Sequence, residues 1–212
     1  NMYRIRITFS KYGKARWIGN LDLHRTWARI LRRAGVPIAY SQGFNPQPRM
    51  QLASALPLGI VSICEILDIW VIEPISTDRL KNDLVFSLPS GIEIIEIVET
   101  DLKEKSLQSR LRAAEYVIEL EDYIDIDVLQ EIVDKLLAMK SIIRQRRGKD
   151  YDMRSLIQVL DIVSGDSIPQ KMFVRFSACP GATGRPSELL EYMGITAKTI
   201  NRTKLLFVDN DG

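Results

Sequence analysis

The run YRIRITFSKYGKARWIGNLDLHRTWARILRRAG, residues 3–35, decides how this chain begins to fold. Its opening alternates, with Tyr3, Ile5, Ile7 and Phe9 on one side and Arg4, Arg6 and Thr8 on the other. That period of two is the mark of a strand with one packed face, and the basic side is expected to be wet. After a turn over residues 11–19 the period lengthens to that of a helix. Asn20 is read as its N-cap, Asp22 complements the positive helix end, and Gly35 with Pro37 beyond it stops the helix. Leu23, Trp27, Ile30, Leu31 and Ala34 make an apolar stripe opposite Arg25, Arg29, Arg32 and Arg33, so the helix is amphipathic and cationic outside.

Working outward, an extended piece around Ile38 leads to a loop over residues 41–49, a strand near residues 50–55 and the most apolar strand at residues 63–72. Ser76 caps a helix over residues 77–87, closed by Pro89 and Gly91, and residues 92–98 read as a strand. The order β-α-β-β-α-β is that of a split βαβ unit. Residues 101–114 are charged and helix-compatible, and are taken as a connector. The second half repeats the order: a strand at residues 116–120, a helix at 126–139, two long strands between Ile142 and Ser177, a helix over Pro186–Met193 with Pro at its first position and Gly194 at its end, and a strand at 203–208. The expected fold class is α+β, two tandem ferredoxin-like (βαββαβ) domains with antiparallel sheets, over residues 2–100 and 115–210.

The 212 residues carry a net charge of only +2, but the charge is unevenly spread. Residues 4–50 hold ten Lys or Arg against the single acid Asp22, whereas residues 51–140 hold eighteen acids against eight bases. Such polarity suits a phosphate polymer or an acidic protein surface. The longest apolar run is broken by Glu65 and Asp68, short of a membrane helix. The opening residues lack the regions of a signal peptide, so a cytoplasmic protein without membrane partners is expected. Cys64, Cys179 and the single histidine cannot assemble a zinc or iron–sulfur site from spaced ligands, and no metal or cofactor is expected. No P-loop, dinucleotide fingerprint or nucleophile elbow occurs.

Several segments carry the candidate chemistry. Tyr40 and Phe44 stand in a loop stiffened by Pro46 and Pro48 and followed by Arg49; flat rings beside guanidinium groups suit base stacking, though burial in the domain's own core is equally in keeping with aromatics. Lys171, Phe173 and Arg175 alternate on one strand face, as on the nucleic-acid face of many four-stranded sheets. Arg146, Arg147 and Lys149 lie in a cationic hairpin apt for phosphates. Gly181 and Gly184 with Arg185, ahead of the Pro186 helix, are candidates for an anion site. His24, the only imidazole, sits at the edge of the first helix's apolar stripe as a potential acid or base.

The residues FSKYGKARWI at 9–18, NLDL at 20–23, LRRAG at 31–35, AYSQGFNPQP at 39–48 and ALPLG at 55–59, and more loosely 152–157 and GRPSELL at 184–190, resemble a bacterial family of uncharacterised radical SAM-linked proteins. The resemblance implies a radical SAM partner, fused or encoded nearby, and a genomic setting beside a ribonuclease of the E/G type and ribosomal proteins, which points to RNA. This chain lacks the partner's three-cysteine cluster motif, so radical chemistry would belong to the partner. The expectation is a non-catalytic RNA-binding adaptor. Its phosphate contacts would be Lys11, Lys14, Arg16, Arg25, Arg29, Arg32 and Arg33, with Tyr40 and Phe44 taking exposed bases. The alternatives are a protein-docking module for the radical SAM partner, and a metal-independent endoribonuclease using His24.

Overall fold

The computed structural model describes residues 2–163 and 168–209. It is a mixed α+β structure with antiparallel pairing, and the chain divides into two compact units, residues up to Arg110 and Leu111–Val208.

The first unit runs β1 (Tyr3–Lys11), α1 (Asn20–Arg33), β2 (Met50–Leu52), β3 (Val61–Val71), α2 (Thr77–Val85), β4 (Ile92–Thr100) and a single helical turn, α3 (Leu107–Arg110). Its strands lie in the order β4-β1-β3-β2, every pair antiparallel. Register sets Ile5 opposite Ile69 and Ile7 opposite Leu67, so these side chains share the face that meets Leu23, Trp27 and Leu31 of α1 and Leu80 and Leu84 of α2. Trp27 meets Phe9 edge to face at 4.9 Å. Burial of each such side chain contributes about 1.5–3 kcal/mol.

α1 begins one residue earlier than expected. Gly19, not Asn20, is the extended N-cap residue, and its carbonyl accepts from the Leu23 amide at 2.8 Å. The stop is at Gly35 as read: it adopts φ +67, and the Val36 amide returns to the Leu31 carbonyl at 3.0 Å, the turn that ends many helices.

The second face of β1 is not wet. Arg4 is 2% exposed and Asp68, on β3, has no exposed surface. Arg4 reaches Asp68 through Nε at 3.0 Å and Nη2 at 2.5 Å, and donates through Nη1 to the Glu104 carbonyl. Arg6 donates to the other Asp68 oxygen at 2.9 Å and to the Glu104 carboxylate at 2.8 Å; Arg110 also pairs with Glu104. Residues 101–110 supply this cover, held by the buried Leu107 and by Gln108, which donates to the Leu52 carbonyl. Strand alternation cannot show what lies over a sheet's other side.

The second unit runs β5 (Leu111–Leu120), α4 (Ile126–Ala138), β6 (Ile143–Arg146), β7 (Lys149–Asp152), β8 (Ile157–Ile162), β9 (Lys171–Cys179), β10 (Ala182–Thr183), α5 (Pro186–Met193) and β11 (Ala197–Phe207). The strand order is β11-β5-β9-β8, with β10 also on β9 and β6-β7 a separate hairpin. Residues 111–114 belong to β5 instead of continuing a helical segment, because Leu111, Ala113 and Ala114 are buried between β9 and β11. β11 starts well before residue 203, its polar residues hiding an extended run. α4 is capped by Asp125, which accepts from the amides of Asp127 and Val128. No described helix is long and apolar enough to cross a membrane.

Candidate nucleic-acid interface

α1 presents Arg25, Arg29 and Arg32 at spacings of four and three, which puts them on one stripe facing away from the core. The segment after α1 returns as a narrow hairpin. The Ala39 amide donates to the Trp70 carbonyl at 2.7 Å, Arg49 to Ala39 at 2.7 Å and Trp70 to Arg49 at 3.0 Å. Farther out, Ser41 and Gln47 exchange two bonds, Ser41 N to Gln47 O at 2.8 Å and Gln47 N to Ser41 Oγ at 3.0 Å. Only the tip is left, with Gly43 at φ +138 and the Phe44 ring fully exposed. Phe44 is therefore not part of the domain's own core.

Between the helix and this hairpin lies a groove of about 540 Å³ lined by Arg25, Ala28, Arg29, Arg32, Tyr40, Pro46, Gln47 and Pro48. Three guanidinium groups and a phenol ring, itself 46% exposed, meet there, and no carboxylate among the described residues lines it. Arg25 has one exposed partner, Asp22 at 3.5 Å, a pair worth little in water. Arg29 donates to the Thr26 hydroxyl, and Arg32 and Arg33 have no ion pair among the described residues. The groove is thus a cationic cleft whose one ion pair is exposed, with a ring on its wall, suited to phosphate groups and flat bases. Ala28, Gln47 and the two prolines, which the sequence offered only as stiffening the loop, were not foreseen as lining residues; the helical spacing from Arg25 through Arg32 was the signal for Ala28.

The other candidate residues lie as follows. Lys14 is exposed and Arg16 half-buried in the 3-10 turn Gly13–Trp17. Lys11, expected among the phosphate contacts, is 1% exposed and donates to the Ile18 carbonyl at 2.6 Å, so it holds the turn instead. Arg49 is exposed with its guanidinium over the Trp70 ring. His24 is half-buried, with no side-chain hydrogen bond among the described residues, and among those residues no three His, Cys, Asp or Glu stand close enough for a metal ion.

In the second unit Arg146, Arg175 and Arg185 each face a carboxylate. The β6-β7 hairpin turns through Arg147 and Gly148, both at positive φ, as a two-residue hairpin turn requires. Arg146 pairs with Glu188 and donates to the Thr183 carbonyl at 2.9 Å, its guanidinium over the Tyr151 ring at 4.5 Å. Tyr151 donates to the same Glu188 at 2.6 Å. Burial alone would push Glu188 up, but the bonds from Arg146 and Tyr151 prevail and hold it below the usual carboxylate range; burial and Glu188 push the Tyr151 phenol up. Arg147 and Lys149 remain exposed, and Lys149 borders a cleft of about 280 Å³ with Gly181 and Thr183. Lys171, Phe173 and Arg175 do share one face of β9, but Arg175 is held by Glu115 at 2.6 Å. At the expected anion site the Gly184 amide donates to the Ser177 carbonyl, a Cβ at Gly184 would meet Phe176 at 2.2 Å, and Glu188 in the first turn of α5 lies 4.0 Å from Arg185.

Residues 4–185 match the model of a family described as uncharacterized protein conserved in bacteria (DUF2344). No curated protein matches the sequence. Among solved structures, the chain is similar to one from a Cbf5-Nop10-Gar1 complex, with 9% identity and a TM-score of 0.53, over 95% of this chain and 48% of that one. It is similar too to a chain of an H/ACA RNP bound to a substrate RNA containing 2'-deoxyuridine, with 10% identity and a TM-score of 0.50, over 94% and 47%. The protein spans about half the length of these chains, and at such identity the likeness is one of fold.

Proposed function

The chain belongs to this family of uncharacterized bacterial proteins, and from that premise we propose that it is a non-catalytic RNA-binding adaptor whose first unit holds RNA for a partner enzyme. Both units are read as ferredoxin-like domains, since each repeats the order 4-1-3-2 in its own strands. The single observation that carries the reading is the groove in which Arg25, Arg29 and Arg32 meet Tyr40 with no carboxylate of the described residues in its lining. Phosphates would be met by the guanidinium groups, which bind them as planar donors of several hydrogen bonds. Phe44 and Tyr40 would take bases. The likeness in fold to a chain from an RNP bound to RNA is in keeping with this reading, and the resemblance to radical SAM-linked proteins suggests the class of enzyme the adaptor would serve, in the cytoplasm.

The test is fluorescence anisotropy of a labelled RNA against the wild-type protein and an Arg29→Glu, Arg32→Glu double variant. At about 0.1 M salt, where exposed charges act over about 10 Å, the reversal is expected to weaken binding by at least tenfold while circular dichroism stays unchanged. Equal affinity of the two proteins, or no binding by either, overturns the proposal. Capture of a radical SAM partner that survives nuclease treatment and is lost in the double variant, with no RNA affinity, would instead establish docking.

A further inference from the structure

Trp17 was not among the residues singled out by sequence, yet it is 62% exposed. It ends the turn before α1, and Leu21, equally exposed, stands four residues ahead of Arg25 on the same helical stripe. The ring also packs on its own chain. A Cβ at Gly59 would lie 3.0 Å from the indole, so the ring packs against bare backbone where φ is +82, and the Gly59 amide donates to the Arg16 carbonyl at 2.9 Å. The Arg16 guanidinium lies over the indole, 5.3 Å from its centroid. Arg16 has no ion pair among the described residues, and its Nε is sealed without an acceptor. Stacking, not a carboxylate, therefore holds this cation.

We propose that Trp17 is a second base-stacking platform, and that the RNA taken by the first unit is consequently unpaired. The inference rests on the RNA-binding reading above. The arginine stripe then has ring platforms on both sides in sequence: Trp17 before α1, whose 14 residues rise about 21 Å, and Phe44 in the hairpin after it. A duplex keeps its bases stacked on one another and offers an isolated ring nothing to lie on; single strands can splay their bases onto aromatic and guanidinium planes. Phosphate contacts alone would have no need of either ring.

The experiment compares a fluorescein-labelled 12-mer of oligoadenylate with a blunt 12-base-pair RNA duplex, using wild type, Trp17→Ala and Trp17→Phe. Removing the ring is expected to weaken the single strand by about 5- to 150-fold, the range measured for loss of one base-stacking aromatic. Duplex binding should stay unchanged, and Trp17→Phe should recover most of the loss. Indole fluorescence gives an independent readout: Trp27 is buried and the half-buried Trp70 is common to wild type and Trp17→Ala, so the quenching by oligoadenylate that is lost in Trp17→Ala is the share of Trp17. If Trp17→Ala binds the single strand as wild type does, or the duplex binds equally well to wild type, this inference fails while RNA binding stands. If neither RNA binds, the underlying reading fails. Trp17→Ala that abolishes capture of a protein partner but leaves oligoadenylate binding intact would make the surface a protein contact and overturn the inference.

Discussion

Asp68 shows how far one residue can depart from its sequence appearance. It lies in the most apolar strand of the first half, where a single carboxylate reads as an interruption, yet it is fully buried and binds two arginines from the neighbouring strand. Desolvating these groups is costly, so the pair is no guarantee of net stability; removing one partner, however, strands the other in a site without water. Asp68→Ala is accordingly expected to lower the free energy of unfolding by about 3–5 kcal/mol, read from urea denaturation of the whole protein. Replacing Arg4 and Asp68 together by Met and Leu should restore much of the loss. A single-variant loss below about 1 kcal/mol would mean that the pair is effectively solvated. The sequence could not reveal this site, because Arg4, Arg6, Asp68 and Glu104 come from three segments and alternation reports only which residues share a face. Phe44 was undecidable for a related reason: one sequence gives a ring's position but not its direction.

At the scale of elements, boundaries carried by backbone chemistry were legible and those carried by packing were not. α5 matches its reading at both ends because Pro186 suits the first helical position and Gly194 takes φ +69 at its cap, conformations few other residues fill as easily. β11 was read too short, since its polar stretch resembles loop until its pairing with β5 is known. The hairpin β6-β7 was legible as a cationic turn, but its contact with α5 was not, and that contact makes a pH dependence. The Glu188 carboxylate is held below its ordinary range by Arg146 and Tyr151, against burial. A depressed folded value means stability that is present above the unfolded carboxylate value near 4.3 and lost as pH falls through the folded one. The Tyr151 phenol, pushed up by burial and Glu188, contributes stability that is full below about 10 and lost as pH rises beyond it. Glu188→Gln should therefore flatten the fall in urea midpoint as pH drops below about 4.3, and Tyr151→Phe should flatten the fall above about pH 10. Parallel curves for wild type and Glu188→Gln in acid would show that the contact is not maintained in solution.

For the molecule as a whole, the lopsided charge seen in the sequence is real in composition but is sorted by structure into two kinds. Of the ten basic residues in positions 4–50, Arg4, Arg6 and Lys11 are held by the chain's own acceptors, and Arg49 rests on Trp70. Those on α1 remain turned outward, and three of them line one groove. Counting charges therefore overstates the surface available to a polyanion, whereas counting guanidinium groups without a buried partner gives a quantity that can be measured. If Arg25, Arg29 and Arg32 each neutralise one phosphate of a single strand, log K should fall with log salt at a slope of about −2, from about −0.7 for each contact. Arg29→Ala should shallow that slope by about 0.7 as well as weaken binding, whereas Phe44→Ala should weaken binding and leave the slope unchanged, because stacking releases no counterions. Titrations between about 50 and 200 mM salt, a range in which such contacts change affinity measurably, distinguish the two effects. A slope near −7 for wild type, at about −0.7 per contact, would require all ten basic residues of that segment to reach phosphate at once, which the buried positions of Arg4 and Lys11 forbid; a flat response would remove the phosphates from the account altogether.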